Sequence, residues 1–182
     1  MILGLDISTS STGWSLLSLD GTLIEQACIP LGKINSTLQK TERVIDELKS
    51  IRKKYDISHI FIEENLQMFR PGLSSAKVLI TLARFNGMVT LLSYQILGIE
   101  PEFLNVNMAR KLINLKINKK DKSKTTKEKV LEWVDADLGG YSWQMKTLKS
   151  GPRKGLEIYD PGCYDVADAY VIAKAGHKTL NK

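Results

Sequence analysis

Histidine and cysteine are scarce in this chain: His59 and His177, Cys28 and Cys163 are the only ones among 182 residues. Two histidines leave little room for a zinc site or a histidine-based triad. The cysteines have no metal-binding spacing and read as reduced thiols of a cytosolic protein. No stretch approaches 18 uninterrupted apolar residues, which predicts no transmembrane helix and no membrane partner. The first residues lack the charged start and small-residue cleavage site of a signal peptide, and Asp6 breaks their apolar run. The expected location is therefore cytoplasmic. Internal repeats, low-complexity tracts and interdomain linkers are also missing, so residues 1–182 are expected to form one domain. With so few imidazoles and thiols, any catalysis falls mainly to carboxylates.

Positive charge is in excess, +6 overall with a pI of about 9.2. That balance favours an anionic partner, nucleic acid first. Much of the excess sits in "KINKKDKSKTTKEK" (116–129), which holds seven lysines against two acids. A solvated surface run is the plain alternative.

Hydrophobic periodicity gives the order β-β-β-α-β-α-β-α-α-α. Strands are predicted at 2–7, 14–19 and 22–29, with the Asp-Gly of "LDGT" as a tight hairpin turn. Ser36 and Gln39 suggest a capping box for a helix to about residue 54. "SHIFIEE" (58–64) reads as a fourth strand, and 67–75 as a loop punctuated by Pro71 and Gly72. A mostly apolar helix follows over 75–97, then a strand at 102–106 and a short helix around 107–115. Thr125 and Glu128 open a helix to about 136, residues 137–161 read as irregular, and a final helix spans 163–176. The fold class is α/β: three antiparallel strands, then parallel strands added by αβ units.

Four carboxylates stand out. Asp6 interrupts a hydrophobic strand, where an unpaired charge is costly. Glu63 ends the fourth strand. Asp165 and Asp168, at i and i+3, share one face of the last helix. The stripe around Ala167, Val171 and Ala175 is small and apolar, suited to packing on a sheet. Each acid has an ordinary explanation: a turn former, a strand end, a first-turn helix charge. Adjacent first and fourth strands with the last helix across their ends would bring all four together. Such a cluster repels itself unless hard cations neutralise it, and paired Mg²⁺ or Mn²⁺ ions are the usual device for phosphodiester hydrolysis.

The ordered segments "LGLDISTSSTGWSLL", "IFIEENLQMF", "SAKVLITLARFNGMVTLL", "VNMARKLI" and "YDVADAYVIA" resemble RuvC-type Holliday junction resolvases of the RNase H-like superfamily. The dense lysines suit a viral or phage-type member, which would act in the host cytoplasm or nucleoid. The resemblance implies an RNase H-like five-stranded mixed sheet flanked by helices. It implies Asp6, Glu63, Asp165 and Asp168 as ligands of two Mg²⁺ ions (Mn²⁺ the alternative) and as catalytic residues. It further implies cleavage of branched DNA to 5′-phosphate and 3′-hydroxyl ends by a homodimer. In "EE" the family pattern selects Glu63 over Glu64, a choice strand parity leaves open.

Met68 and Phe69 follow the fourth strand, either as core residues or as an aromatic wedge at the junction, with Arg70 on a phosphate. Lys119, Lys120, Lys122, Lys124 and Lys127 would line a phosphate track. Lys127 best matches the family's functional lysine, which steadies charge on the attacked phosphate, with Lys124 the near alternative. Ser8 is read as a turn residue, a partner of Asp6 and a DNA contact; Gly13 as permitting a tight turn; Trp14, Trp133 and Trp143 as packing. Rival readings are a single-domain ATP or phosphate-binding protein of the actin and sugar-kinase type, a non-catalytic junction binder, and an RNase H-like nuclease acting on RNA. Longer, irregular 137–161 departs from the family and leaves forks and flaps open as substrates.

Overall fold

Alternation along the first strand divides the molecule into two faces. The computed structural model describes residues 1–64, 76–118 and 120–181. In chain order the elements are β1 (Ile2–Ile7), β2 (Ser11–Leu17), β3 (Leu23–Pro30), α1 (Thr37–Lys54), β4 (His59–Glu63), α2 (Ala76–Leu97), β5 (Glu102–Leu104), α3 (Val106–Leu112), α4 (Thr126–Asp137), β6 (Met145–Thr147), β7 (Glu157–Tyr159) and α5 (Gly162–Leu180). Five strands form one sheet in the order β3-β2-β1-β4-β5. β1, β2 and β3 pair antiparallel, and β4 and β5 join parallel, as the sequence predicts.

Leu3, Leu5 and Ile7 of β1 pack with Trp14, Leu16 and Ile29 against Val44, Leu48 and Ile51 of α1 and Phe85 and Val89 of α2. Ile2, of opposite parity, joins Leu17, Phe61 and Leu104 against α3, α4 and α5. Successive strand side chains point to opposite faces, so Gly4 and Asp6 share the α5 side with Ile2.

Missing side chains let α5 sit directly on the sheet. A Cβ at Gly4 would stand 2.5 Å from the Ala169 carbonyl oxygen and 2.7 Å from the Ala173 Cβ. One at Gly13 would stand 2.0 Å from the Asp165 carbonyl oxygen, and one at Gly176 would meet the Phe61 ring at 2.2 Å. Two corrections follow. The sheet contact of α5 runs along Asp165, Ala169, Ala173 and Gly176, while the expected stripe of Ala167, Val171 and Ala175 is buried in the cluster shared with α3 and α4. Gly13 lies inside β2 opposite Asp6 and serves backbone-to-backbone approach, not a turn.

Of the two predicted capping boxes, only the second is reciprocal among the described residues. Ser36 accepts from the Gln39 amide at 3.4 Å. Thr125 and Glu128 make a reciprocal capping box, with hydrogen bonds of 2.6 and 3.2 Å. Gly21 takes a φ of +86° in the β2–β3 turn, a conformation that favours glycine. β2 begins at Ser11 instead of residue 14, so the hydroxyl-rich segment enters the sheet. The segment read as irregular holds the β6–β7 hairpin. Its strands have three residues each and lack any apolar alternation, so periodicity could not reveal them.

α2 is long and apolar enough, by length and composition only, to cross a membrane. Phe85, Asn86, Val89 and Ser93 nevertheless seat one side of α2 in the fold.

Candidate active site

Asp6 occupies the last inward-facing position of β1, next to the sheet's C-terminal rim. The parallel register pairs Ile2 with His59 through Leu5 with Ile62. The same offset sets Glu63 beside Asp6, on strands about 4.8 Å apart. Phe61 meets Gly176 of α5, and Glu63 shares its parity. Glu64, past the strand end, instead lines a groove of about 790 Å³ between α2 and β5. Register thus puts Glu63, not Glu64, next to Asp6.

The first turns of α5 supply the other two acids. Asp165 is 8% exposed. Ser11 Oγ donates to its Oδ2 and Lys127 Nζ to its Oδ1, the latter at 3.2 Å. One turn on, Asp168 Oδ1 lies 3.6 Å from Arg110 Nη2. That oxygen is buried and accepts no hydrogen bond from a described residue, and Arg110 Nε donates none to one.

These groups feel one another strongly. Burial, then the charges of Glu63, Asp168 and Asp165, hold the Asp6 carboxyl well above the usual range, against the pull of Lys127. Burial and Asp168 push Glu63 up to about 7, opposed by Arg110 and Lys127. Asp168 is raised as well, first by burial, with Arg110 and Lys127 opposing. Burial works against the charged form of Lys127, but Asp165, then Asp168 and Asp6, outweigh it and its pKa rises. In all three acids burial is the first cause of the rise; the charge of neighbouring acids adds to it and Lys127 opposes it throughout.

Such a site is suited to a small, hard cation. Its donors are carboxylate oxygens, Asp6 feels the charge of the three other acids, and a buried Asp168 oxygen has no hydrogen-bond partner among the described residues. Among the described residues, no three His, Cys, Asp or Glu side chains converge on a single point in this arrangement. Asp165 is turned toward Ser11 and Lys127, and Asp168 toward Arg110.

The other expected residues divide. Ser8 bonds within its own turn, its amide to the Ser11 carbonyl at 3.1 Å and its Oγ to Ser10 Oγ at 3.0 Å. The turn reading holds, but the hydroxyl that bonds an acid is Ser11, bonding Asp165, not Ser8 bonding Asp6. Lys120 and Lys122 are exposed and in no ion pair with a described residue. Lys124 is paired with Glu132, and it is Lys127 that reaches the acids. Met68, Phe69, Arg70 and Lys119 lie outside the described residues. Trp14 is core, and Trp143 packs at the rim with its Nε1 donating to Asp135 at 3.0 Å. Sequence reasoning missed Ser11 and Arg110. Ser11 is two residues before Gly13 on the same strand face, a signal that needed the correct start of β2. Arg110 stands in "VNMARKLI", where nothing in the sequence ties it to an acid nearly sixty positions on.

No protein-family model and no curated protein sequence matches the chain. Solved structures do. Thermus thermophilus RuvC in complex with a Holliday junction substrate is 14% identical with a TM-score of 0.66, over 99% of this chain and 94% of that one. A second T. thermophilus RuvC structure is 15% identical with a TM-score of 0.62, over 99% and 95%. The yeast mitochondrial Holliday junction resolvase Ydc2 is 16% identical with a TM-score of 0.55, over 97% and 77%. At such identities the likeness is one of fold, and the chain has the RNase H-like architecture of these proteins.

Proposed function

We propose that the protein is a RuvC-type resolvase, a divalent-metal-dependent endonuclease that cuts branched DNA and four-way junctions above all. The observation that carries this reading is the meeting of Asp6, Glu63, Asp165 and Asp168 beside Lys127 at one rim of an RNase H-like sheet. The four acids would hold two Mg²⁺ ions, or Mn²⁺, which when bound activate water for in-line attack and stabilise the leaving 3′ oxygen, giving 5′-phosphate and 3′-hydroxyl ends. The chain's own part is positional. The β1–β4 register aligns Asp6 with Glu63, and the glycine contacts press Asp165 and Asp168 toward them. Ser11 orients Asp165. Lys127 lies at the edge, its side chain 59% exposed and paired with Asp165, and would exchange that partner for the attacked phosphate. With DNA as its substrate, the protein would act in the cytoplasm or nucleoid.

Pairing of two copies completes the reading, because two symmetric sites nick opposing strands of a two-fold junction. Its support is α2, whose Ile80, Leu91 and Tyr94 are 52, 56 and 50% exposed. With Ala83 and Gly87 they form an apolar helical stripe beside Phe103 of the edge strand, itself 51% exposed. A second α2 of the same kind fits such a stripe.

The test is cleavage of four-way, three-way, flap and linear DNA with Mg²⁺ or a chelator, by wild type, Asp6→Asn and Asp168→Asn. Mg²⁺-dependent cutting of branched DNA, lost in both variants with junction binding retained, is the expected result. Full cleavage by either variant, or indifference to DNA shape, overturns the proposal.

A further inference from the structure

We propose that the β6–β7 hairpin is a second DNA-backbone contact, an arm that grips the phosphates of a DNA branch beside the cut. This rests on the nuclease reading above. Residues 146–156 hold Lys146, Lys149, Arg153 and Lys154 and not one acid. All four cations are exposed, and none is in an ion pair with a described residue.

The 116–129 segment, which composition favours as the phosphate track, differs in this respect. Lys124 is held by Glu132, Lys127 by Asp165 and Lys129 by Asp121. Three of its seven lysines are thus paired, whereas all four hairpin cations are available to an outside anion.

The hairpin's position is fixed at both ends. At its base the Asp160 amide donates to the Gln144 carbonyl at 2.8 Å, and Cys163 Sγ donates to the same carbonyl at 3.4 Å. Asp165 lies two residues beyond Cys163. Tyr164 feels both Tyr159 of β7 and Lys127, so the base adjoins the acids. The tip has a hydrogen-bonded frame of its own: the Leu148 amide to the Leu156 carbonyl at 3.0 Å, the Gly155 amide to the Leu148 carbonyl at 2.9 Å, and the Lys154 amide to the Gly151 carbonyl at 3.1 Å. Gly151 and Gly155 take φ of +80° and +89° to close it. At about 3.3 Å per residue, the tip projects roughly 15–20 Å from the base, far enough to follow a duplex arm beyond the scissile phosphate. Cations displayed this way contribute affinity and salt dependence, not base specificity.

The experiment measures binding of a fluorescein-labelled synthetic four-way junction across a salt series in EDTA. It compares wild type with Lys149→Gln/Arg153→Gln/Lys154→Gln. Each lost phosphate contact removes roughly 0.9 from the slope of log K against log salt. The expected decrease is about 2–3 in slope, with binding at 0.15 M salt weaker on the order of 10²-fold. Single-turnover cleavage at saturating variant is expected to stay within about threefold of wild type, because the acids are untouched. The charge-retaining Lys149→Arg/Lys154→Arg protein is expected to bind as wild type does. Wild-type binding with an unchanged slope in the Gln variant overturns the hairpin's role alone. Loss of binding in the Arg variant also overturns it, since charge would then not be the cause. A wild type that binds no junction at any salt sinks the nuclease reading and this one together.

Discussion

Replacing Gly13 by alanine tests the architecture and the candidate site in one step. The added Cβ would lie 2.0 Å from the Asp165 carbonyl oxygen and 2.3 Å from its carbonyl carbon. Both are backbone atoms in the first turn of α5, so no side chain can swing aside. Reaching an ordinary contact of at least 3.4 Å needs about 1.4 Å of separation between β2 and α5. Overpacking of this kind costs about 1–3 kcal/mol, and backbone rigidity places this substitution near the upper end. In a chain of this length 1 kcal/mol moves Tm by about 2–4 °C, so Gly13→Ala is expected to melt roughly 6–12 °C lower. The same displacement carries Asp165 away from Asp6, and a misplacement of about 1 Å costs on the order of 10²-fold in rate. Calorimetry and single-turnover cleavage below the lowered Tm read the two effects separately. Gly32→Ala is the control: its Cβ meets only the Ser10 carbonyl oxygen, at 3.6 Å, and its Tm is expected within about 2 °C of wild type. Wild-type Tm and wild-type cleavage in Gly13→Ala would refute the backbone contact and the assembly of acids that depends on it.

Three other outcomes are expected. Glu63 titrates near 7 in the folded chain and near 4.5 unfolded, so the folded state binds more protons between those values, and its contribution to stability is present below pH 4.5 and lost as pH rises through 7. Tm in EDTA should therefore fall across that window, less so in Glu63→Gln, and Mg²⁺ should raise Tm more at pH 8 than at pH 5; identical curves for Glu63→Gln and wild type would contradict this. Ser11→Ala leaves Asp165 Oδ2 without its donor, for a loss of about 1.5–3 kcal/mol in Mg²⁺ affinity by calorimetric titration, and unchanged affinity would free Ser11 of any orienting role. Leu91→Glu puts a charge in the exposed α2 stripe, and sedimentation should read a monomer where wild type is a dimer, while a monomeric wild type would remove α2 as the pairing surface.

Strand order, helix positions and the four acids were legible because each leaves a local trace: alternation, capping pairs, a charge in an apolar strand. The β6–β7 hairpin left none, since its short exposed strands bury no stripe. Glu63 and Glu64 were indistinguishable for a related reason. Both faces of β4 are apolar, and only the contact of Phe61 with Gly176 tells which parity meets α5. Ser8 drew attention through its nearness to Asp6 in sequence, yet across a strand pair the relevant neighbours are set by register. Register pairs Asp6 with Gly13, placing Ser11, two residues earlier, on the same face. Arg110 depends on α3 docking against α5, a tertiary fact with no local signature.

The glycines reveal how the acids are held together. Three carboxyls with raised pKa oppose one another, and nothing in their own interactions would assemble them. Assembly is imposed from outside by contacts that carry no charge: Gly4 on Ala169 and Ala173, Gly13 on the Asp165 backbone, Gly176 on Phe61. A larger residue at any of them would relieve the repulsion by letting α5 rise from the sheet. Substitutions in this seam should therefore lower Mg²⁺-dependent cleavage even where they spare every acid. The metal-free seam variants should also titrate Glu63 closer to 4.5 than to 7, because a raised α5 would no longer bury it and Asp168 would have moved away. Following the Glu63 carboxyl by carbon NMR in Gly176→Ala measures this directly. A value that stays near 7 in a folded Gly176→Ala protein would mean that the acids are held by something other than the seam.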